Sequence, residues 1–145
     1  MVPSGWKQVQ PKVKIIEAEF AVAAGGDAAD AGRVTLMAAG GNKDDNIARW
    51  TGQFDREPGE KIQQETLQID GREVTLVDIR GIFKDQSGPF APVDPKANFR
   101  MLAAIIPLNE VNSYFVKLTG PKDTVGAHEA AFRELIKSAN VQDAP

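Results

Sequence analysis

The sequence FRMLAAII, residues 99–106, is almost continuously apolar. Its eight residues match the length of a β-strand, and apolar side chains at successive positions leave such a strand no face for water. A strand of this kind fits only into a sheet that is covered on both sides. The stretch therefore predicts a sheet with other elements packed against both of its faces.

A β-hairpin is predicted between residues 61–69 and 72–82. The two segments flank Asp70-Gly71, a dipeptide that is typical of two-residue hairpin turns. The first segment is rich in glutamine and glutamate, so we expect it near an edge of the sheet. The second segment is more apolar and is expected to lie further in.

Three further segments alternate apolar and polar residues with the period of two that is typical of strands. They are residues 13–24, 33–39 and 113–119. In the first of them, Glu17 and Glu19 are expected on the face that is exposed to water. Because neighbouring strands are joined by hairpins, we expect the sheet to be mostly antiparallel.

Two helices are predicted from their apolar faces. In the first, Ile47, Trp50 and Phe54 are spaced to lie on one side of a helix. Asp44 or Asp45 is expected to cap its start, because a carboxylate there accepts free backbone N–H groups. The apolar stripe of the second helix consists of Val125, Phe132, Leu135, Ile136 and Ala139. Helices packed against a mostly antiparallel β-sheet define an α+β fold.

We expect a single α+β domain over residues 1–145, with an N-terminal arm at 1–11 and a frayed tail at 141–145. Residues 84–97 contain three prolines and predict an irregular connection that is long for a compact domain. Long connections are often functional, so this one is a candidate lid or partner contact. The alternative is a variable surface loop.

Composition excludes several classes of function. The chain has a net charge of -3 and no basic stripe, so we expect no nucleic-acid partner. It has no cysteine, which removes disulfides, thiolate metal sites and cysteine nucleophiles. With His128 as the single histidine, we expect no metal site and no cofactor. No apolar run approaches the roughly 18 residues of a membrane-spanning helix.

The candidate binding residues are Asn46, Arg49, Trp50 and Gln53. The three polar ones are spaced three or four residues apart and form a stripe beside the tryptophan. An arginine offers a planar fork of donors that suits a carboxylate, so the stripe predicts recognition of a carboxylate or a peptide. The alternative is that Arg49 pairs with a neighbouring acid or caps loop carbonyls.

Catalytic and metal-binding interpretations have less support. A hydrolase would need His128 as a general base or a pair of carboxylates in one cleft. No Gly-x-Ser-x-Gly motif accompanies the histidine, so we assign no catalytic residue. The loop at residues 40–46 lacks the spacing of a phosphate loop or of a calcium loop, and capping of the following helix is its expected role.

A resemblance to known proteins rests on three motifs taken together with an early tryptophan and a Gly-Gly loop. The motifs are Asn46-x-x-Arg49-Trp50-x-x-Gln53, FVKLTGP at 115–121 and Phe132-x-x-Leu135-Ile136-x-Ser138. This pattern resembles a family of uncharacterised bacterial proteins, many of which are exported or lipid-anchored. The order of elements resembles the PsbP-like and DcrB-like α/β/α sandwich. The resemblance implies a protein that binds or assists other proteins, with no catalytic residues.

The expected function is a non-enzymatic, protein- or peptide-binding accessory module of the bacterial cell envelope. Its contact surface would involve the proline-rich residues 84–97 and the helix at 46–53. One alternative is a small-ligand binder with a groove walled by Arg49 and Trp50. A hydrolase is the third. The envelope setting applies if a leader has been trimmed, and a cytoplasmic one applies otherwise; the oligomeric state is left open.

Overall fold

The computed structural model describes residues 6–9, 18–22, 32–40, 42–55, 62–69, 71–85, 90, 92–108 and 112–137. This part of the chain forms eight strands and two helices. In chain order they are β1 (Lys7–Val9), β2 (Ala18–Val22), β3 (Gly32–Gly40), α1 (Lys43–Thr51), β4 (Phe54–Asp55), β5 (Gln63–Ile69), β6 (Arg72–Asp85), β7 (Asp94–Pro107), β8 (Asn112–Pro121) and α2 (Lys122–Lys137).

The eight strands form one sheet in the order β1-β2-β3-β8-β7-β6-β4, and β5 also pairs with β6. Every pairing between these strands is antiparallel. The central position belongs to β8, with β7 beside it, so the most apolar strands are flanked on both sides. The expectation of an α+β fold with a mostly antiparallel sheet is confirmed.

Each face of the sheet carries one helix and one apolar cluster. In β7, successive buried residues alternate between the two clusters. Leu102, Ala104 and Ile106 pack with Phe132 and Ile136 of α2. Met101, Ala103 and Ile105 pack with Ile47 and Trp50 of α1. The chain is thus an α/β/α sandwich, and the prediction that residues 99–106 lie in a sheet covered on both sides is confirmed.

The predicted hairpin is present between β5 and β6. Ile69 pairs with Arg72 across the turn, and Gly71 has a positive φ of 77°, which a residue without a side chain adopts at little cost. Its polar arm, β5, pairs with β6 alone and lies at an edge, as predicted. The more apolar arm lies between two strands.

The irregular connection is shorter than residues 84–97. Lys84 and Asp85 extend β6, and β7 begins at Asp94, so both ends of the predicted loop pair as strands. Pro95 is tolerated in β7 because the pairing of β7 with β8 begins only at Phe99, which leaves Pro95 a partner on one side. The prediction of an irregular connection over all of residues 84–97 was therefore wrong. A proline that pairs with only one neighbouring strand breaks no hydrogen bonds to a second strand, so Pro95 can lie within β7.

The first helix begins and ends earlier than predicted. Asn42 is the N-cap, with its Oδ1 accepting from the backbone N of Asp45 at 2.7 Å, so the two aspartates lie in the first turn. The helix ends at Thr51, and Phe54 belongs to β4. Phe54 still packs in the cluster with Ile47 and Trp50 because the turn at Gly52 returns the chain to the sheet.

The expectation that Glu19 faces water was wrong. Only 3% of this residue is exposed, and its carboxylate forms an ion pair with Arg33 of the neighbouring strand at 2.9 Å. Sequence alternation alone does not show which strand supplies a partner for a buried acid. Glu17 lies outside the described residues.

Part of the expected N-terminal arm is structured. Residues 7–9 form β1 and pair with β2, and Trp6 packs against Phe20 with ring centroids 6.4 Å apart. The tail at 141–145 lies outside the described residues. The assignment of a single domain to residues 1–145 stays a prediction.

Candidate binding site

Asn46 is buried in α1 and uses both ends of its amide within the helix. Its Nδ2 donates to the backbone oxygen of Asn42 at 2.9 Å. Its Oδ1 accepts from Nη2 of Arg49 at 2.6 Å. The amide therefore fixes the first turn and holds the guanidinium, which leaves Arg49 as the exposed member of the pair.

Trp50 points into the molecule, where 1% of it is exposed. Its ring meets the ring of Phe115 edge-on, with centroids 5.2 Å apart and an interplanar angle of 88°. The ammonium nitrogen of Lys117 lies 5.4 Å from the ring centroid. The tryptophan ring thus contacts the sheet and a lysine, and it does not wall an open groove.

Gln53 lies in the turn that follows α1. Its backbone N donates to Trp50 O at 3.0 Å, and its backbone O accepts from Lys84 N at 2.8 Å. This second bond joins the end of α1 to β6. Of the four residues singled out in the sequence, the structure brings Asn46 and Arg49 together, turns Trp50 inward and places Gln53 at the junction with β6.

Sequence reasoning missed a group of cations beside α1. Thr35 of β3 pairs with Lys117 of β8, and Arg33 precedes Thr35 by two residues, so Arg33 and Lys117 face the same side of the sheet as α1. Together with Arg49 they form the cationic cluster, defined as Arg33, Arg49 and Lys117. The alternation of residues 113–119 put Lys117 on the face of Phe115, and a lysine on a helix-covered face was the signal that could have found it.

Burial and the two arginines of the cationic cluster lower the pKa of Lys117. Burial is the largest cause, followed by the positive charges of Arg49 and Arg33, and together they lower the pKa of Lys117 to about 8. Each of these causes disfavours the charged ammonium. The carboxylate of Glu19 pairs with Arg33, with Nη2 donating to Oε1 at 3.1 Å.

A second polar group links α2 to the sheet. Arg100 of β7 is buried and donates from Nε and Nη2 to the two carboxylate oxygens of Asp78 at 3.0 and 2.8 Å. Its Nη2 also donates to Glu129 of α2 at 2.8 Å. Arg133 extends the group, bonding Glu129 at 3.1 Å and Glu65 of β5 at 2.8 Å. These bonds fix α2 over β5, β6 and β7.

Charge compensation in this second group shows in the pKa values. Burial raises the pKa of Asp78, but hydrogen bonds from Arg100 and Arg80 outweigh burial and hold that pKa below its ordinary value. The pKa of Glu129 is likewise lowered, since the bonds from Arg100 and Arg133 outweigh burial. With each charge paired in this way, the group's role is to position α2.

The end of the β6–β7 hairpin carries exposed apolar side chains. We call this surface the distal hairpin, defined as residues 82–85, 90 and 92–97. Within the part of the chain that the structure describes, the large hydrophobic residues that are exposed are Phe90 at 100%, Val93 at 47% and Ile82 at 41%. All three belong to the distal hairpin.

The base of the distal hairpin is a stack of aromatic rings. Phe83 and Phe99 are parallel within 3°, with centroids 5.8 Å apart, and Phe54 lies 5.2 Å from Phe83. A β-bulge sits at the same level: β7 has one more residue than β6 between two successive pairs, and Asn98 there has a φ of 55°. A bulge bends the strand that carries it and increases the local twist.

An open groove runs along α1 beside the edge of the sheet. Its volume is about 560 Å³, and its lining includes Ile47, Phe54, Ile62 and Lys84. A smaller pocket of about 100 Å³ lies between β5 and Arg133. Neither of the two is lined by Arg49 or Trp50, so the predicted groove walled by those residues does not coincide with either.

The single histidine of the sequence, His128, lies in α2. Nδ1 of His128 accepts a hydrogen bond from Nε1 of Trp6 at 3.2 Å, which ties this nitrogen to the N-terminal tryptophan. Within the described ranges, no group of three histidine, aspartate or glutamate side chains is arranged to hold a metal ion. Neither α1 nor α2 is long and apolar enough to cross a bilayer.

Comparison with known proteins gives matches at the level of structure. No protein-family model and no curated protein matches the sequence. The crystal structure of PA94 from Pseudomonas aeruginosa, a protein of unknown function put forward as a regulator, is similar with a TM-score of 0.61 and 17% identity. That match covers 99% of this chain and 90% of PA94.

Another similar structure is that of CyanoP, the cyanobacterial PsbP of Synechocystis sp. PCC 6803, solved in solution. Its TM-score is 0.57 and its identity 15%, over 97% of this chain and 84% of CyanoP. Likeness at such identities establishes a shared fold, and function must be argued from the sites. The sheet order, the two covering helices and the likeness to CyanoP together establish that this chain has a PsbP-like α/β/α sandwich fold.

Proposed function

We propose that this protein is a non-enzymatic accessory module that binds a protein partner through the distal hairpin and the adjoining end of α1. One observation carries the proposal: Phe90, Val93 and Ile82 are the exposed large hydrophobic residues of the described chain, and all lie on one hairpin. Scattered apolar residues need no explanation, but a concentrated group is typical of an interaction surface.

The distal hairpin is suited to act as a preorganised contact. The stacked rings of Phe83 and Phe99, with Phe54 beside them, anchor its base to the sheet. Lys84 and Asp55 add an ion pair of 3.6 Å at the rim. A surface that is ordered before binding loses less conformational entropy on association, which favours affinity.

The end of α1 belongs to the same surface. The bond from Lys84 N to Gln53 O joins the turn after the helix to the hairpin, and Gln53 lies next to β4 in the chain. A partner seated on the distal hairpin would therefore also meet this turn. Its polar groups would form the rim around an apolar centre, which is the common arrangement of protein interfaces.

Site-specific photo-crosslinking tests the proposal. A photoreactive benzoyl-phenylalanine would replace Phe90 in the natural chain, expressed in its own cells, and the control would carry it at Glu134, an exposed position of α2. We expect a discrete crosslinked protein from position 90 and none from position 134. Equal crosslinking at both positions, or none at either, would contradict the proposal.

A cell-envelope setting is part of the proposal. It is supported by the resemblance of the sequence to exported and lipid-anchored bacterial proteins. Fractionation of cells that express the natural gene from its own start codon tests it. Recovery with the periplasm or membranes is expected, and recovery of all the protein in the cytoplasmic fraction would remove this part of the proposal while leaving partner binding intact.

The open groove beside α1 supports a second candidate, the binding of a small ligand. A mostly apolar lining with a few polar groups is typical of small-molecule sites, and this groove combines Ile47, Phe54 and Ile62 with Lys84. The fluorescent probe anilinonaphthalene sulfonate can report on it. Binding that is lost in Ile62→Lys and kept in Phe90→Ser would favour this candidate, and the reverse pattern would place the probe on the hairpin.

A further inference from the structure

We infer that the cationic cluster is a binding site for a carboxylate group, separate from the distal hairpin. Arg33, Arg49 and Lys117 lie on the same side of the sheet, on β3, α1 and β8. Among the described residues of this region, Glu19 is the one carboxylate that forms an ion pair with the cluster, and it pairs with Arg33. Positive charge therefore remains on Arg49 and Lys117.

Lys117 is the residue that most requires an anion. Its ammonium nitrogen lies over the ring of Trp50, and the ring supplies only a weak attraction to the ammonium. Its position brings it near two guanidiniums, both of which oppose its charge. A carboxylate bound between Lys117 and Arg49 would relieve this repulsion and would supply a direct ion pair.

The cluster can be reached from solvent. Arg49 is exposed, the side chain of Arg33 is 40% exposed, and Lys117 is partly buried. The guanidinium of Arg49 is held by Asn46 at 2.6 Å, so it is oriented before a ligand arrives. An arginine held in this way presents its remaining donors as a fork, which matches the two oxygens of a carboxylate.

Titration of Lys117 in the full chain tests the inference. The ε-methylene resonance of Lys117 would be followed by NMR against pH in sodium chloride and in sodium succinate of equal ionic strength. Succinate is expected to raise the pKa of Lys117 by about one unit, because a bound carboxylate favours the ammonium. An unchanged pKa would mean that Lys117 only packs against Trp50, and it would overturn the inference.

Charge variants distinguish binding of succinate at the cationic cluster from a general attraction of succinate to positive charge on the protein. Arg49→Gln is expected to weaken succinate binding about fivefold, and Arg49→Lys, which keeps the charge, about twofold. Lys43→Gln removes the same charge from an exposed position at the other end of α1 and should bind succinate as the parent does. Equal weakening by Arg49→Gln and Lys43→Gln would overturn the inference.

A second titration, with an acidic peptide, identifies the source of the carboxylate. The peptide acetyl-Asp-Glu-Asp-amide would be titrated beside succinate, with the same NMR readout. Tighter binding of the peptide indicates acidic segments of a protein, and tighter binding of succinate indicates a free small acid. If the peptide binds more tightly, its effect on the Lys117 resonance must be lost in Arg49→Gln. Because Phe90 takes no part in this experiment, its outcome is independent of partner docking by the distal hairpin.

Discussion

The ammonium nitrogen of Lys117 lies 5.4 Å from the centroid of the buried Trp50 ring. The contact joins the central strand β8 to α1, so a charged group sits where the apolar packing of this helix ends. The same helix face holds Ile47, and the same strand holds Phe115. The ring of Trp50 therefore contacts both the apolar core, through Phe115, and the cationic cluster, through Lys117.

Stability should depend on pH through Lys117. Its pKa is about 8 in the folded protein against 10.5 when unperturbed. Between these values the unfolded chain keeps a proton that the folded chain has released, so the free energy of unfolding rises with pH over this range, by up to about 3 kcal/mol. Lys117→Met should lack this rise in urea unfolding between pH 7.5 and 10.5. In the control Lys43→Met, the free energy of unfolding should rise with pH as it does in the parent. The same rise in Lys117→Met would contradict the account.

Loss of Asp78 should destabilise the protein by about 2–4 kcal/mol, because Arg100 would keep a buried charge with one fewer partner. The measurement is urea unfolding of Asp78→Asn at pH 7. In Asp94→Asn the lost pair with Lys96 is exposed, so a change within about 0.5 kcal/mol is expected.

The effect of Asp78→Asn should also shrink in acid. Because the folded pKa of Asp78 is lowered, its contribution is present above the unfolded pKa of about 3.9 and is lost as the pH falls through the folded value. The gap between parent and Asp78→Asn should therefore be constant from pH 7 to about 5 and narrow below about pH 4. A gap that widens in acid would show that Asp78 is not stabilised by its arginines.

Two glycines should respond to alanine with opposite signs. A Cβ at Gly32 would lie 2.9 Å from Cγ2 of the buried Val22 and 3.3 Å from Thr119 O, so Gly32→Ala should cost about 1–3 kcal/mol. Gly126 is exposed within α2, and a Cβ there meets its nearest atom, on Arg100, at 3.9 Å. Gly126→Ala should stabilise by about 0.5–1 kcal/mol. Thermal unfolding of both variants gives the signs; the same sign for both would be inconsistent with this packing.

Trp6 should contribute through both its ring and its N–H group. Trp6→Phe removes the donor to His128 and should cost about 1 kcal/mol. Trp6→Ala also removes the contact with Phe20 and should cost about 3 kcal/mol. Chemical denaturation gives both values. Equal, near-zero costs would show that β1 and Trp6 detach from the domain in solution.

Local patterns predicted the centre of the sheet well. Alternation along residues 113–119 predicts that Val116 and Leu118 lie on one face of the sheet and Phe115 on the other, and the two apolar clusters confirm this. The turn at Gly71 follows from its dipeptide, because two-residue hairpins restrict the residues they accept. In these regions local preference and burial agree.

Contacts between distant residues could not be predicted in the same way. Arg100 and Glu129 are 29 residues apart, and only the packing of α2 on β7 joins them. Arg33 and Lys117 likewise meet through strand pairing that no local pattern specifies. Part of the candidate site could therefore be predicted: helical spacing singled out Arg49, and the alternation of residues 113–119 carried a signal for Lys117. The closeness of Arg33 to Lys117 depends on the pairing of β3 with β8 and could not be predicted.

Partner binding through the distal hairpin is the central claim, and the dissociation constant of the purified crosslinked partner tests it most directly. Phe90→Ser should weaken binding at least tenfold, since loss of a central aromatic anchor costs roughly 2 kcal/mol or more. Glu134→Ser, an exposed change on α2, should leave the constant unchanged. Equal dissociation constants for the parent chain and Phe90→Ser would contradict the claim.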